Sequence, residues 1–217
     1  MPWHELVELL SIGGPNPGFS PRYNIAPTQD VLTLIAGDGD DALRGGLLRW
    51  GFQPSWSKRP LINARCEDAA GKRTWARPFA ARRCLVPADG FYEWKRQGNA
   101  RTPYDFAPVG EPVVTFAAVW DRFELDGGRV GCVSILTRAA GPEVAGIHDR
   151  EPAVIAAEHR AAWLDPALRD PADLMPLLAR PAGPLFEARP ISPRINSARH
   201  EGTEVLEYIQ DSDGPGP

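Results

Sequence analysis

A mainly antiparallel, barrel-like α+β domain is the architecture the sequence predicts, on three observations. Seven short runs rich in β-branched, aromatic and aliphatic residues are separated by Gly, Pro and Asp turns. Few helical stretches lie between these runs, which favours antiparallel pairing over a parallel sheet built from strand–helix–strand units. Proline (23) and glycine (21) make up about a fifth of the 217 residues, which keeps elements short and loops many.

The elements follow in order. Trp3, Leu6, Val7 and Leu10 recur at helical spacing, and Pro2 suits a first turn, where its missing N–H costs nothing. Extended runs follow at VLTLIA (31–36), LLRWGF (47–52), RCLVPA (83–88), FYEWK (91–95), VVTFAAVW (113–120), VGCVSILT (130–137) and PAVIA (152–156). Helices are expected over 73–82, 158–164 and 171–179. With no internal repeat and no linker, residues 1–210 read as a single domain, long enough for a sizeable core, and DSDGPGP (211–217) reads as a disordered tail.

Composition excludes several classes. No apolar run approaches the roughly 18 residues that span a bilayer, and MPWHELVELL carries acids rather than a basic signal region. The expectation is a cytoplasmic protein without a membrane partner. Cys66, Cys84 and Cys132 are odd in number and lack CxxC spacing, which argues against a disulfide framework and a zinc site. His4, His148, His159 and His200 are scattered, so neither metal nor cofactor is expected.

Net charge hides an asymmetry. The whole chain carries −4, yet Arg49 to Arg101 holds twelve Lys and Arg against Glu67, Asp68, Asp89 and Glu93, leaving the remainder at −12. Trp50, Trp56, Trp75 and Trp94 lie in the same window. Cations for phosphates interleaved with flat rings for unstacked bases suit a groove for single-stranded nucleic acid. The opposing readings are that arginine-rich composition follows genomic base content and that tryptophans are core residues.

Within that window, ADGFYEWKR (88–96) sets Glu93 among Phe91, Tyr92 and Trp94. On a strand, Phe91, Glu93 and Lys95 share one face and Tyr92 and Trp94 the other. A carboxylate against a dry aromatic wall holds its proton toward neutral pH, which suits a general acid or base. A rim carboxylate paired with Lys95 or Arg96 is the competing reading.

Ordered strings then run through the chain: RYNIAPTQ (22–29), RWGFQPSW (49–56), INARCED (62–68), RRCLVPADGFYEWK (82–95), TPY (102–104), AAVW (117–120), LTRAA (136–140) and IHDREP (147–152). Together they resemble the SOS-response-associated peptidase family, whose members capture abasic sites in single-stranded DNA, over about residues 18–209. The resemblance implies a distorted β-barrel with flanking helices and a positively charged groove. It also implies an N-terminal cysteine, exposed when the protein removes its own initiator methionine, whose amine and thiol close a thiazolidine with the ring-opened sugar. Within it, Glu93 is the proton-transfer group, His148 the proton shuttle, and Asn63 the amide that fixes nucleophile and sugar. Arg65, on the same strand face as Asn63, would hold a phosphate, and Trp56 resembles a wedge beside the lesion. Asn24 shapes the pocket from its loop, and Arg83 and Trp94 join the DNA-binding set. The expected partner is abasic single-stranded DNA, bound by a monomer that associates with the nucleoid when on DNA. Singly, each has a rival: Asn63 capping a turn, Arg65 bridging to Glu67 or Asp68, His148 solvated in its loop.

One departure is large. The family begins Met-Cys-Gly-Arg on a strand ahead of the first helix, whereas here no cysteine stands near Met1. A misassigned start, a truncated gene and loss of the capture chemistry compete as explanations, and the first is favoured because Asn63, Glu93 and His148 are all present. With Pro2 opening a helix, the chain's first amine is expected to lie far from Asn63 and Glu93. A non-covalent single-stranded DNA-binding module is the alternative function, and a cysteine hydrolase pairing Cys84 with His148 is a third.

Overall fold

Extended backbone at Pro2 (φ −66°, ψ 160°) leads into α1 (Trp3–Leu10), which buries Leu6 and Leu10 and ends at left-handed Ser11 (φ 53°). The computed structural model describes residues 1–37, 43–125 and 127–209, so the expected tail at 211–217 lies outside the described residues. After α1 come β1 (Ile12–Gly13), β2 (Asp30–Ala36), β3 (Leu43–Trp50) and β4 (Asn63–Arg65), then α2 (Cys66–Ala69), α3 (Ala76–Ala81) and β5 (Arg83–Ala88). The chain continues through β6 (Phe91–Gln97), β7 (Ala100–Pro108), β8 (Val114–Leu125), β9 (Gly128–Ala139), α4 (Pro142–Ala145) and β10 (Arg150–Pro152). Helices α5 (Arg160–Leu164) and α6 (Pro171–Leu174) precede β11 (Phe186–Pro190).

The fold is α+β, as expected. Strands β2, β5 and β8 pair in series, β8 forms a long antiparallel hairpin with β9, and β3 pairs with β2. A short parallel pairing of β3 with β9, Arg49 opposite Cys132 and Trp50 opposite Val133, closes this series into a ring. The ring is distorted, since β2 and β5 share a single pair, Leu34 opposite Leu85. β4 and β10 attach to β9, and β6, β7 and β11 form a separate antiparallel sheet.

Hydrophobic pattern explains the layout. Leu34, Leu85, Ala117, Cys132 and Leu136 fill the main core with Leu6 and Leu10 of α1 and Trp163 of α5. A second cluster, including Val86, Phe106, Phe116, Val133 and Phe186, joins the ring to the three-stranded sheet. Phe91 stacks on Phe106 at 4.8 Å and meets Phe186 edge-on at 5.0 Å, so β6 is anchored by the ring two residues before Glu93.

Three expectations shift in detail. Within 152–156 only Pro152 belongs to a strand; the rest reaches β8 through a Phe116–Val154 bridge, with Ile155 N–H donating to Thr115 O. The 171–179 helix divides into α6 and a 3₁₀ turn over Met175–Leu178, where Pro176 removes a donor. The 73–82 helix contracts to α3, with Pro78 accommodated in its first turns. No helix among the described residues is long and apolar enough to cross a membrane.

Candidate active site and groove

Trp50 fixes the approach to Asn63. Its indole N–H donates to Ile62 O at 3.0 Å, and Phe52 bridges to Leu61, so the intervening residues loop out and carry Trp56 at their exposed tip, 68% accessible. Gly51 permits the turn: its φ is +117°, and a Cβ there would meet Pro60 Cβ at 2.7 Å. The chain then enters β4, in parallel register with Ile135–Thr137 of β9, where Ala64 is buried and Asn63 and Arg65 both face outward.

Glu93 and His148 arrive from opposite sides. Glu93 lies on β6, and His148 stands between α4 and β10 with its Nδ1 3.7 Å from Glu93 Oε1. Burial pushes the Glu93 carboxyl above the ordinary carboxylate range, with His148 opposing that rise. His148 Nδ1 also lies 3.1 Å from Arg150 N and 3.0 Å from Arg150 O, so whether it accepts or donates depends on its tautomer. Asn63, Arg65, Glu93, Thr137, His148, Arg150, Glu151 and Pro152 line a cleft of about 230 Å³.

A larger cavity of about 990 Å³ shares Asn63 and Glu93 with this cleft. Asn24, Trp50, Tyr92, Trp94, Arg101 and Met1 are in its wall. Asn24 is buried and its amide donates to the carbonyls of Ile195, Ser197 and His200, holding the C-terminal loop against the cavity. Trp94 donates its indole N–H to Asn196 Oδ1 at 2.7 Å, and the Arg101 guanidinium lies 5.6 Å over its ring.

Thus Asn63, Arg65, Glu93 and His148 come together in one cleft, Asn24 and Trp94 border the adjoining cavity, and Trp56 projects from a neighbouring loop. Arg83 is corrected. Its guanidinium is buried and donates to the carbonyls of Phe79, Ala80, Trp163, Asp165 and Leu168, so it fastens α3 and α5 to the sheet and is not available to a phosphate. The basic window is likewise divided: Arg82 pairs with Asp121, Lys72 with Asp68, and Trp75 packs in the core against Phe52.

The cysteine-hydrolase reading does not survive. Cys66, Cys84 and Cys132 are all buried; burial pushes the Cys66 thiol up to about 12 and the Cys132 thiol up to about 11, and holds Cys84 well above its ordinary value. None of them is a thiolate near neutral pH. Among the described residues no group of three His, Cys, Asp or Glu could hold a metal ion.

Sequence reasoning missed the frame around His148. Arg150 forms a bidentate pair with Glu67, at 2.9 and 2.8 Å, and also donates to Thr137 O. Glu151 is buried, accepting from Arg138 Nε at 2.9 Å and from Gly141 N at 2.8 Å, with Arg180 alongside. Both lie inside IHDREP, whose alternating charges read as a solvated loop until β10 places them under the site.

Comparison with known proteins adds to the geometry. A family model described as SOS response associated peptidase matches residues 3–198. The abasic site processing protein YoqW of Bacillus subtilis is 32% identical, covering 94% of this chain and 94% of its own length. The abasic site processing protein YedK of Escherichia coli is 31% identical over 87% of this chain and 85% of its own. The crystal structure of a phage-related protein from Bordetella bronchiseptica superposes with a TM-score of 0.66 at 30% identity, covering 85% of this chain and 88% of the other.

Proposed function

Since the chain belongs to the SOS response associated peptidase family, we propose that it processes abasic sites in the DNA damage response by binding single-stranded DNA and opening the abasic sugar between Glu93, His148 and Asn63. The observation that carries this reading is the convergence of Glu93 and His148, 3.7 Å apart, with Asn63 and Arg65 in one cleft. Opening the hemiacetal breaks the bond from C1′ to the ring oxygen. The protonated Glu93 gives its proton to the ring oxygen, His148 takes the proton from the C1′ hydroxyl, and the products are an aldehyde and a free 4′-hydroxyl. Asn63 orients the sugar, and Arg65 holds the adjoining phosphate.

Capture of that aldehyde needs an amine, and a stable product needs a neighbouring thiol. The amine condenses with loss of water to an imine, and the thiol adds across the C=N bond to close a thiazolidine. The three buried cysteines do not serve, so the reading assigns the covalent step to a cysteine at the N-terminus of a segment ahead of Trp3, exposed by removal of methionine. A non-covalent binding module remains as the second reading, favoured by the burial of every thiol among the described residues.

The test uses the chain as it stands and a version carrying Met-Cys-Gly-Arg and a short strand ahead of Trp3, each mixed with a single-stranded oligonucleotide bearing one abasic site. The extended protein is expected to form a heat-resistant adduct seen by mass spectrometry. Glu93→Gln should slow its formation about 100-fold or more while leaving binding nearly intact. Binding of the oligonucleotide without any adduct would remove the catalytic roles and leave the binding module. Equal affinity of the original chain for single strand and blunt duplex would remove the groove.

A further inference from the structure

The larger cavity holds a buried acid that the chemistry above does not use. Asp105 lies on β7, opposite Tyr92 of β6 and Arg189 of β11, and only 7% of its surface is accessible. It nevertheless lines the 990 Å³ cavity together with Glu93, Tyr92 and Trp50. Its neighbour in the register, Tyr104, stands opposite Glu93, so Asp105 shares the strand face of Tyr92 and Trp94 while Glu93 is on the other face, and the cavity takes its wall from both. Close approach is built in at Gly90, where a Cβ would meet Asp105 Oδ1 at 3.2 Å and Phe106 O at 2.9 Å.

No hydrogen bond to the Asp105 carboxylate is found among the described residues; its proton affinity is set by burial and by Asp89, which raise it, and by Arg189, which lowers it. A carboxylate removed from water without donors is costly, and at a cavity wall its oxygens are left to take donors from whatever enters. On the strand face of Asp105 the cavity wall offers the rings of Tyr92 and Trp94, on which an unstacked base can lie. Building on the single-stranded DNA reading, we infer that Asp105 recognises the base next to the abasic sugar, and that this base is guanine.

The choice among bases is chemical. Guanine presents N1–H and N2–H side by side, matching the two oxygens of one carboxylate. Cytosine and adenine present an amino group beside an acceptor that a carboxylate repels, and thymine presents N3–H between two carbonyls. The carboxyl must be ionised for both of its oxygens to accept. Burial and Asp89 push Asp105 up to about 6, so guanine recognition belongs above that pH and is lost below it.

Fluorescence anisotropy on abasic single-stranded oligonucleotides that differ only in the bases flanking the lesion tests this. At pH 8, guanine is expected to bind tightest, by roughly 5-fold to 150-fold, the discrimination typical of a bidentate contact. At pH 5 the four should bind alike. Asp105→Asn replaces an acceptor with a donor facing N1–H and should abolish the guanine preference at every pH. Asp89→Asn removes the repulsion and should carry the guanine preference to lower pH. Binding without base preference at pH 8, or an Asp105→Asn protein that keeps the original ranking, overturns the inference while leaving the DNA reading intact. Failure to bind any of the oligonucleotides overturns both.

Discussion

Asp105 and Glu93 are acids whose burial raises their proton affinity, and that has a cost. For a group with its folded value raised above the unfolded one, the native state holds the proton longer, so stability falls as pH climbs through the interval between the two. For Asp105 that interval runs from its ordinary value, about 4, up to about 6. The ionised carboxylate then costs up to about 3 kcal/mol at pH 8, an upper bound because water in the cavity shares the charge. Asp105→Asn should raise the unfolding temperature at pH 8 and leave it nearly unchanged at pH 4; equal shifts at both would show that the charge is not the cause. A side chain that destabilises the fold yet faces a cavity is better explained by what it binds than by what it holds together.

At the scale of elements, legibility followed local pattern. Strand β5 matches the run RCLVPA end to end because Arg83 to Val86 are buried one after another between the two cores, and α1 matches the Trp3–Leu6–Val7–Leu10 spacing because Leu6 and Leu10 are buried one turn apart. Asn63, Glu93 and His148 were legible as residues in ordered strings, but β4 is too short for any pattern, and the ion pairs beneath His148 join residues far apart in sequence. Arg83 was misread for the same reason: only the packing of α3 and α5 reveals five carbonyls waiting for its guanidinium. The Glu67–Arg150 pair ties the start of α2 to β10 and so fixes the main chain that meets His148 Nδ1. Arg150 holds Glu67 below its ordinary range. That stabilisation is present above the unfolded value and is lost as pH falls through the folded one. Since Glu67 is half exposed, Glu67→Ala should cost no more than about 1 kcal/mol of global stability. Hydrogen exchange at residues 148–150 should nevertheless quicken well beyond that of β8 and β9; unchanged exchange there would deny the pair its positioning role.

Across the whole molecule, the Glu151 network binds distant parts into one frame: Arg138 from β9, Gly141 before α4, and Arg180 with its partner Glu143. Arg138 also donates to Leu178 O, so the segment after α6 is drawn beneath the cleft. Glu151→Gln keeps the shape but leaves buried guanidinium charge uncompensated, and is expected to cost about 3 to 5 kcal/mol in urea unfolding. A cost below about 1 kcal/mol would mean that water already screens the network. The ring closure bears on how this frame is assembled. The segments Arg49–Trp50 and Cys132–Val133 are separated by β4 to β8, and their parallel contact can form only after much of that chain has found its place. A long loop must be closed before the contact returns anything, so the seam is set to form late, with little structure there at the barrier. Weakening it would then hasten unfolding and leave the refolding rate almost untouched, making the seam the gate through which the native state is lost.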